Sequence, residues 1–279
     1  MDNIYYIINN RSSCRNFSDR EVSDECLEKI LNAACKSPSA GGFQAYSIIK
    51  IKNSKTKKKL AELCRNQMFI EKAPVCLLFC IDYRRIKKIC DVLPAPCEAI
   101  NNFMDFWMAV LSTAICAHTA CLAAEAENLK SVYVGNIINT VDKVSELLNI
   151  PKYVCPSVMV VLGYPKNKPV MSEKYNRTVL VHDEKYKDIE INSLNNEYEN
   201  KYENWNMKPT KKLVDSIYDT CLKYNGIEMA EKFRSNALNF NKISAYQFWF
   251  GYYYLKQDDF LDLSGYVNYM KKQGFKWLE

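Results

Sequence analysis

Apolar and polar positions change period several times along this chain, and each change marks an element. Residues 2–9 read as a short helix. In "SDECLEKILNAACKSP" (23–38), Leu27, Ile30, Leu31 and Ala34 recur at helical spacing behind Ser23, a capping hydroxyl, and Pro38 lies beyond the end. "AYSIIKIK" (45–52) is strand-like, and "SKTKKKLAELC" returns to a helical period. Two runs, "APVCLLFCID" (73–82) and "CPSVMVVLGYP" (155–165), are apolar at nearly every position, which predicts strands covered on both faces. Between them the pattern predicts a helix over about 98–128, a short strand or turn at "SVYVGN" (131–136) and a helix over 140–150. Helices around a few buried strands make an α+β layered domain.

"FWMAVLSTAICAHTACLAA" (106–124) contains no Asp, Glu, Lys or Arg and approaches the length of a membrane span. It is rich in Ala, Ser, Thr and Cys, and so only weakly hydrophobic. We expect a central helix buried on nearly all sides, partly at a subunit interface, and no membrane partner. Beyond residue 190 the texture changes: "NSLNNEYENKYENWNMKP" predicts an exposed helix or loop-rich connection, and Tyr- and Phe-rich helical stretches follow. The expected division is a core over 1–190 and a helical extension over 191–279, packed on the core or a partner subunit. "YQFWFGYYYL" (246–255) reads as packing within that extension.

Composition excludes several kinds of chemistry. The 279 residues carry a net charge of +6, and the one dense basic run, "KNSKTKKKL" (52–60), reads as a solvated helix face rather than a nucleic-acid surface. Twelve dispersed cysteines, none spaced CxxC, and no export signal imply reduced thiols and a cytoplasmic protein. Eight glycines never satisfy the spacing of a dinucleotide or triphosphate loop, and no G-x-S-x-G elbow occurs. Cys116, His118 and Cys121 would point in different directions on a helix, so no metal site is expected, and His118 reads as a core histidine. An enzyme of this composition takes its hard chemistry from a cofactor.

"RSSCRNF" (11–17) is the stretch with candidate chemistry. In an extended segment Arg11, Ser13 and Arg15 share one face, and paired guanidiniums with a hydroxyl suit an anionic ligand. The alternative is a surface loop in which Arg15 pairs with Asp19.

The order R-x-S-x-R-x-F, a capped helix, "SPSAGGFQ" and a strand is followed by "RNQMFIEKAPVCLLFCID" (65–82), the long helix, "SVYVGN" and "CPSVMVVLGYP" with basic residues after it. This order resembles the nitroreductase family of FMN-dependent oxidoreductases, well over 1–190 and loosely beyond. Gln67 ahead of an "AP" strand, with "GFKW" near the C-terminus, is most similar to the NfsA/Frp-type flavin reductase branch. The resemblance implies a mostly antiparallel central sheet surrounded by helices, and a homodimer with the long helix at its interface and FMN bound between subunits. It implies ping-pong hydride transfer, in which NAD(P)H reduces FMN and a nitroaromatic, quinone or free flavin then accepts the electrons.

By position, the resemblance places Arg11, Ser12 and Ser13 at the FMN phosphate together with Lys166 and Lys168. It places Arg15 at the N1–C2=O edge of the ring, where a fixed cation stabilises the charge that reduction creates. Pro38 and Ser39 would reach the flavin from the partner subunit, and Gln67, with Phe69 beside it, would meet the ring's polar edge. Tyr133, Val134, Gly135 and Asn136 would face the ring, with the Gly135 amide near N5. The chain departs from the family pattern at Ser12 (commonly Arg or His), Gly42 (frequently Asn), Asn136 (usually Gly or Glu) and Lys168 (often Arg). Arg177 and Arg234 are candidates for a nicotinamide-nucleotide phosphate. The family also holds dehalogenases and flavin-fragmenting enzymes, and the alternative role is one of these or a non-enzymatic flavin carrier or redox-responsive binder.

Overall fold

The computed structural model describes residues 4–254 and 263–277 and opens with α1 (Ile4–Asn10) and α2 (Asp24–Ala34). The Ser23 hydroxyl accepts from Cys26 N at 3.2 Å, the N-cap bond its position predicts. Next come β1 (Tyr46–Ile51), α3 (Ser54–Leu63), α4 (Phe69–Lys72) and β2 (Val75–Asp82). α5 (Arg84–Val92) leads to the long α6 (Phe103–Ala126), and β3 (Lys130–Val134), α7 (Val141–Leu147) and β4 (Val154–Gly163) follow.

The four strands form one antiparallel sheet in the order β1-β2-β4-β3. Every residue of β2 is buried, as its unbroken apolar run requires of a central strand. Its side chains alternate between two cores. Cys76, Leu78 and Cys80 join Met159, Val161, Val132 and Val134 under α3, α4 and α7. Val75, Leu77 and Phe79 join Val160 and Leu162 under α2 and α6. The result is an α+β fold with a helical layer on each face of the sheet. Eight of the twelve cysteines are buried, and all twelve are free thiols.

α6 is long and apolar enough to cross a membrane by length and composition. Its small residues Ala109, Ser112, Thr113, Cys116, Ala117, Ala120, Cys121 and Ala124 pack inward, as in a core helix. Burial on nearly all sides is not what the chain adopts. Trp107, Met108, Leu111 and Ile115, at helical spacing, remain 39–51% exposed on the opposite face. Small side chains let the helix approach α2 and the sheet closely, and the large ones are left outside.

Contacts divide the described residues elsewhere than composition does: one compact unit holds 4–171 with 263–277, the other 172–254. α8 (Ile191–Lys201), α9 (Lys211–Asn225), α10 (Ile227–Asn239) and α11 (Ala245–Phe248) lie in the second unit, with a π-helical turn at Trp249–Tyr253. Val214, Ile217, Phe233, Ala237 and Ile243 form its core. The aromatic stretch from Tyr246 to Tyr254 packs ring against ring, also meeting Tyr198, Tyr202 and Trp205; Leu255 lies outside the described residues. α12 (Leu263–Lys272) belongs to the first unit. There Tyr269, Met270, Phe275 and Trp277 bury against Ile81, Tyr83 and Cys155.

Gly163, at the end of β4, marks a close approach. A Cβ there would lie 2.7 Å from Pro74 Cδ and 2.9 Å from Phe17 Cδ1. We expect Gly163→Ala to cost roughly 1–3 kcal/mol by overpacking, read as a lowered midpoint in thermal denaturation.

Candidate functional site

Residues 11–18 are strapped across the ends of β3 and β4. Cys14 N donates to Ser131 O at 3.0 Å, Ser18 N to Tyr164 O at 2.8 Å, and Lys166 N to Asn16 O at 3.0 Å. Ser13 bridges Ser131 in parallel, and Phe17 bridges Pro165 in the antiparallel sense. Side chains alternate as an extended segment requires. Ser12, Cys14 and Phe17 are buried, Ser13 and Arg15 are exposed, and Arg11 is half-buried. The strap therefore brings Arg11, Ser13 and Arg15 to the same sheet end as the exposed Lys166 and Lys168. Ser12 is buried instead. With Asn10, Glu125, Lys130 and Lys168 it lines a cavity of about 250 Å³.

β3 leads from this end to the other candidate cluster. From Ser131 to Gly135 is four residues, about 13 Å of strand. Val134 is buried in the core, Tyr133 points outward, and Gly135 and Asn136 begin the 3-10 turn that follows. A Cβ on Gly135 would meet no atom within 4 Å, so packing within the chain does not demand glycine there.

Gln67 and Phe69 approach the same side of the sheet. Thr140 Oγ1 donates to Leu63 O at 3.4 Å, joining the end of α3 to the turn after Gly135. Gln67 Nε2 donates to Cys64 O at 2.8 Å, and Phe69 packs on the core that holds Val134 and Ile137. Pro38 and Ser39 sit at a different level of α6. Ser39 Oγ accepts from Gln44 N at 3.1 Å, and Ala40 N donates to the Ser112 hydroxyl at 3.2 Å. Ser112 and Glu125 are thirteen residues apart on α6, about 20 Å of helix rise. In the second unit, Arg234 is engaged locally, stacked 3.5 Å over the Tyr218 ring and 3.9 Å from Glu231.

Two residues behind Arg11 escape a reading by motif. The Glu125 side chain, only 5% exposed, bonds through Oε2 to Lys130 Nζ, while Oε1 is buried without a hydrogen-bond partner. Nη1 of Arg11 is likewise buried and unpartnered. Burial holds the Glu125 carboxyl above the usual carboxylate range, with Lys130 and Arg11 pulling the other way. The available signal was the pair itself: two opposite charges five residues apart at the end of a long uncharged run.

His118 is not a core histidine. It lies on the open face of α6, where partial burial and the Arg11 charge nearby lower its pKa. Cys116 and Cys121 point inward instead, and among the described residues no group of three His, Cys, Asp or Glu could hold a metal ion. Burial pushes the thiols of Cys14 and Cys121 up, so neither is a ready nucleophile. The arrangement can hold an anion and present a backbone edge to a flat ligand.

The chain as a whole is similar to known proteins. The chain is 30% identical over 187 residues to an FMN reductase [NAD(P)H] of Bacillus subtilis, covering 67% of this chain and 75% of that one. It is 31% identical over 178 residues to an oxygen-insensitive NADPH nitroreductase of Salmonella typhimurium, covering 64% and 72%. Among solved structures, NfrA2 of B. megaterium superposes with a TM-score of 0.74 at 26% identity over 100% of both chains. Residues 8–164 match the family description "Nitroreductase family". That span runs from the end of α1 to the exit of β4 and contains the strap, the central helix and the β3 turn: the chain belongs to the nitroreductase family.

Proposed function

We propose that the protein is an FMN-dependent NAD(P)H oxidoreductase working as a homodimer. The observation that carries this reading is the strap: it gathers Arg11, Ser13 and Arg15 beside Lys166 and Lys168, one strand length from Gly135. The residues fit FMN on the structure's own terms. Arg11 brings a half-buried guanidinium to the end where a phosphate would lie. Gly135 is a glycine that the chain's packing does not require, which suits close approach of a flat ring to its backbone.

Bound FMN supplies the hydride chemistry, accepting from NAD(P)H and delivering to a nitroaromatic, quinone or flavin. The chain's residues bind, orient and stabilise. Arg11 and Ser13, with Lys166 and Lys168, would hold the phosphate, and Arg15, exposed on the same strap, would offer a fixed cation for developing negative charge. One N–H of Gln67 Nε2 is held by Cys64 O, which fixes the amide and leaves Oε1 as an acceptor suited to a ring N–H. The Gly135 backbone leaves the stacking face open.

Three features support the wider reading. The apolar stripe Trp107, Met108, Leu111 and Ile115 gives a homodimer a self-complementary surface. Ser39, docked at the Ser112 level of α6, sits well to reach a partner's flavin across such an interface. Twelve free thiols suit the reducing cytoplasm.

The purified protein should be yellow, bleach on anaerobic addition of NADH or NADPH, and turn over with menadione or a nitrofuran. A colourless protein that takes up no added FMN would sink the reading. Tight FMN binding without turnover would make it a flavin carrier instead.

A further inference from the structure

We propose that Glu125 is a positioning residue for Arg11: clamped by Lys130 on one oxygen, it uses the other to orient the guanidinium toward the FMN phosphate. The inference rests on the placement of that phosphate at Arg11. Two buried atoms of opposite character lack partners in one corner of the molecule, Glu125 Oε1 and Arg11 Nη1. Each such atom is costly to leave unmet, and the two are complementary, a donor and an acceptor. Their charges already interact, since Arg11 pulls the Glu125 pKa downward against burial. A hydrogen bond between them, direct or through one water, would meet both needs. Engaging one nitrogen of Arg11 from behind leaves its remaining N–H groups for phosphate oxygens, and a guanidinium fixed in advance loses less freedom on binding.

Lys130 makes the arrangement workable. A lone carboxylate 95% buried behind a phosphate site would be destabilised and would repel the ligand. The Lys130 ammonium neutralises it and fixes its rotamer. Lys130 opens β3 next to Ser131, whose backbone holds the strap, so clamp, strap and arginine share one rigid base.

The sign of one substitution separates positioning from simple electrostatics. Glu125→Gln removes a negative charge from the neighbourhood of an anion site, and on charge alone it would tighten FMN binding. Positioning predicts the reverse. We expect titration by flavin fluorescence to show FMN bound about tenfold more weakly by the Glu125→Gln protein, with riboflavin, which lacks the phosphate, bound as by the wild type. Placed on an Arg11→Ala background, Glu125→Gln should add nothing further. Unchanged or tighter FMN binding, an equal loss of riboflavin binding, or a full additive loss in the double variant would overturn the proposal. An Arg11→Ala protein that weakens FMN no more than riboflavin would overturn the phosphate placement itself, and this inference with it, a pattern none of the Glu125→Gln outcomes produces.

Discussion

Arg11→Ala protein should leave purification largely colourless, whereas Arg15→Ala protein should stay yellow and bleach slowly with NAD(P)H. The two arginines sit four residues apart on one strap, yet their surroundings differ. Arg11 is half-buried at the sheet end that holds Lys166 and Lys168, and Arg15 is exposed further along. A charge-assisted bond from Arg11 to a phosphate contributes about 1.5–3 kcal/mol, so FMN affinity should fall roughly 10- to 150-fold. In the proposed site, Arg15 acts chiefly on the charge that reduction places on the ring. Its loss should change the dissociation constant little, lower the flavin's reduction potential, and slow bleaching about tenfold or more. Equilibrium dialysis, potentiometry and stopped-flow bleaching measure the three quantities. Equal loss of flavin from both variants would show that the strap binds as one undivided anion site.

The second large effect belongs to α6. Leu111→Asp combined with Ile115→Asp should turn the proposed dimer into monomers and release its flavin. Both side chains are about two-fifths exposed in the single chain, so the variant keeps its fold, and circular dichroism should match the wild type. In a two-fold interface each substitution counts twice. Lost apolar burial of about 1.5–3 kcal/mol per side chain is joined by the desolvation of four carboxylates. Light scattering after gel filtration reports mass, and absorbance reports flavin in the same peak. A wild-type protein that runs as a monomer at micromolar concentration, yet is yellow and active, would contradict the dimer.

Much of the fold was legible because it depends on local pattern. β2 and β4 announce burial on both faces by lacking polar positions, and the sheet places each between two cores. The Ser23 cap and the inward–outward alternation of 11–15 follow from single-residue chemistry and an extended backbone. α6 was legible in length but not in orientation. Its segment is apolar all round, so no polar stripe marks the outside; its two faces differ in side-chain size instead, and only packing against α2 and the sheet selects the small one. His118 was misread for the same reason, a polar ring in an apolar run whose facing the run does not disclose.

The sequence by itself determined the elements, their order, the motif residues and the family they resemble, because periodicity, caps and short motifs are encoded within a few neighbouring residues. Tertiary structure alone decided which strand ends the strap crosses, that the segment carrying Lys166 returns to it there, and that Ser12 is buried while Ser13 is exposed. It also decided that α12 packs within the first unit and that a buried Glu125–Lys130 pair lies within the electrostatic reach of Arg11. These are contacts between residues more than a hundred positions apart, or choices among equally apolar faces. They follow from which surfaces can be buried together, a property of the packed chain rather than of any stretch of it.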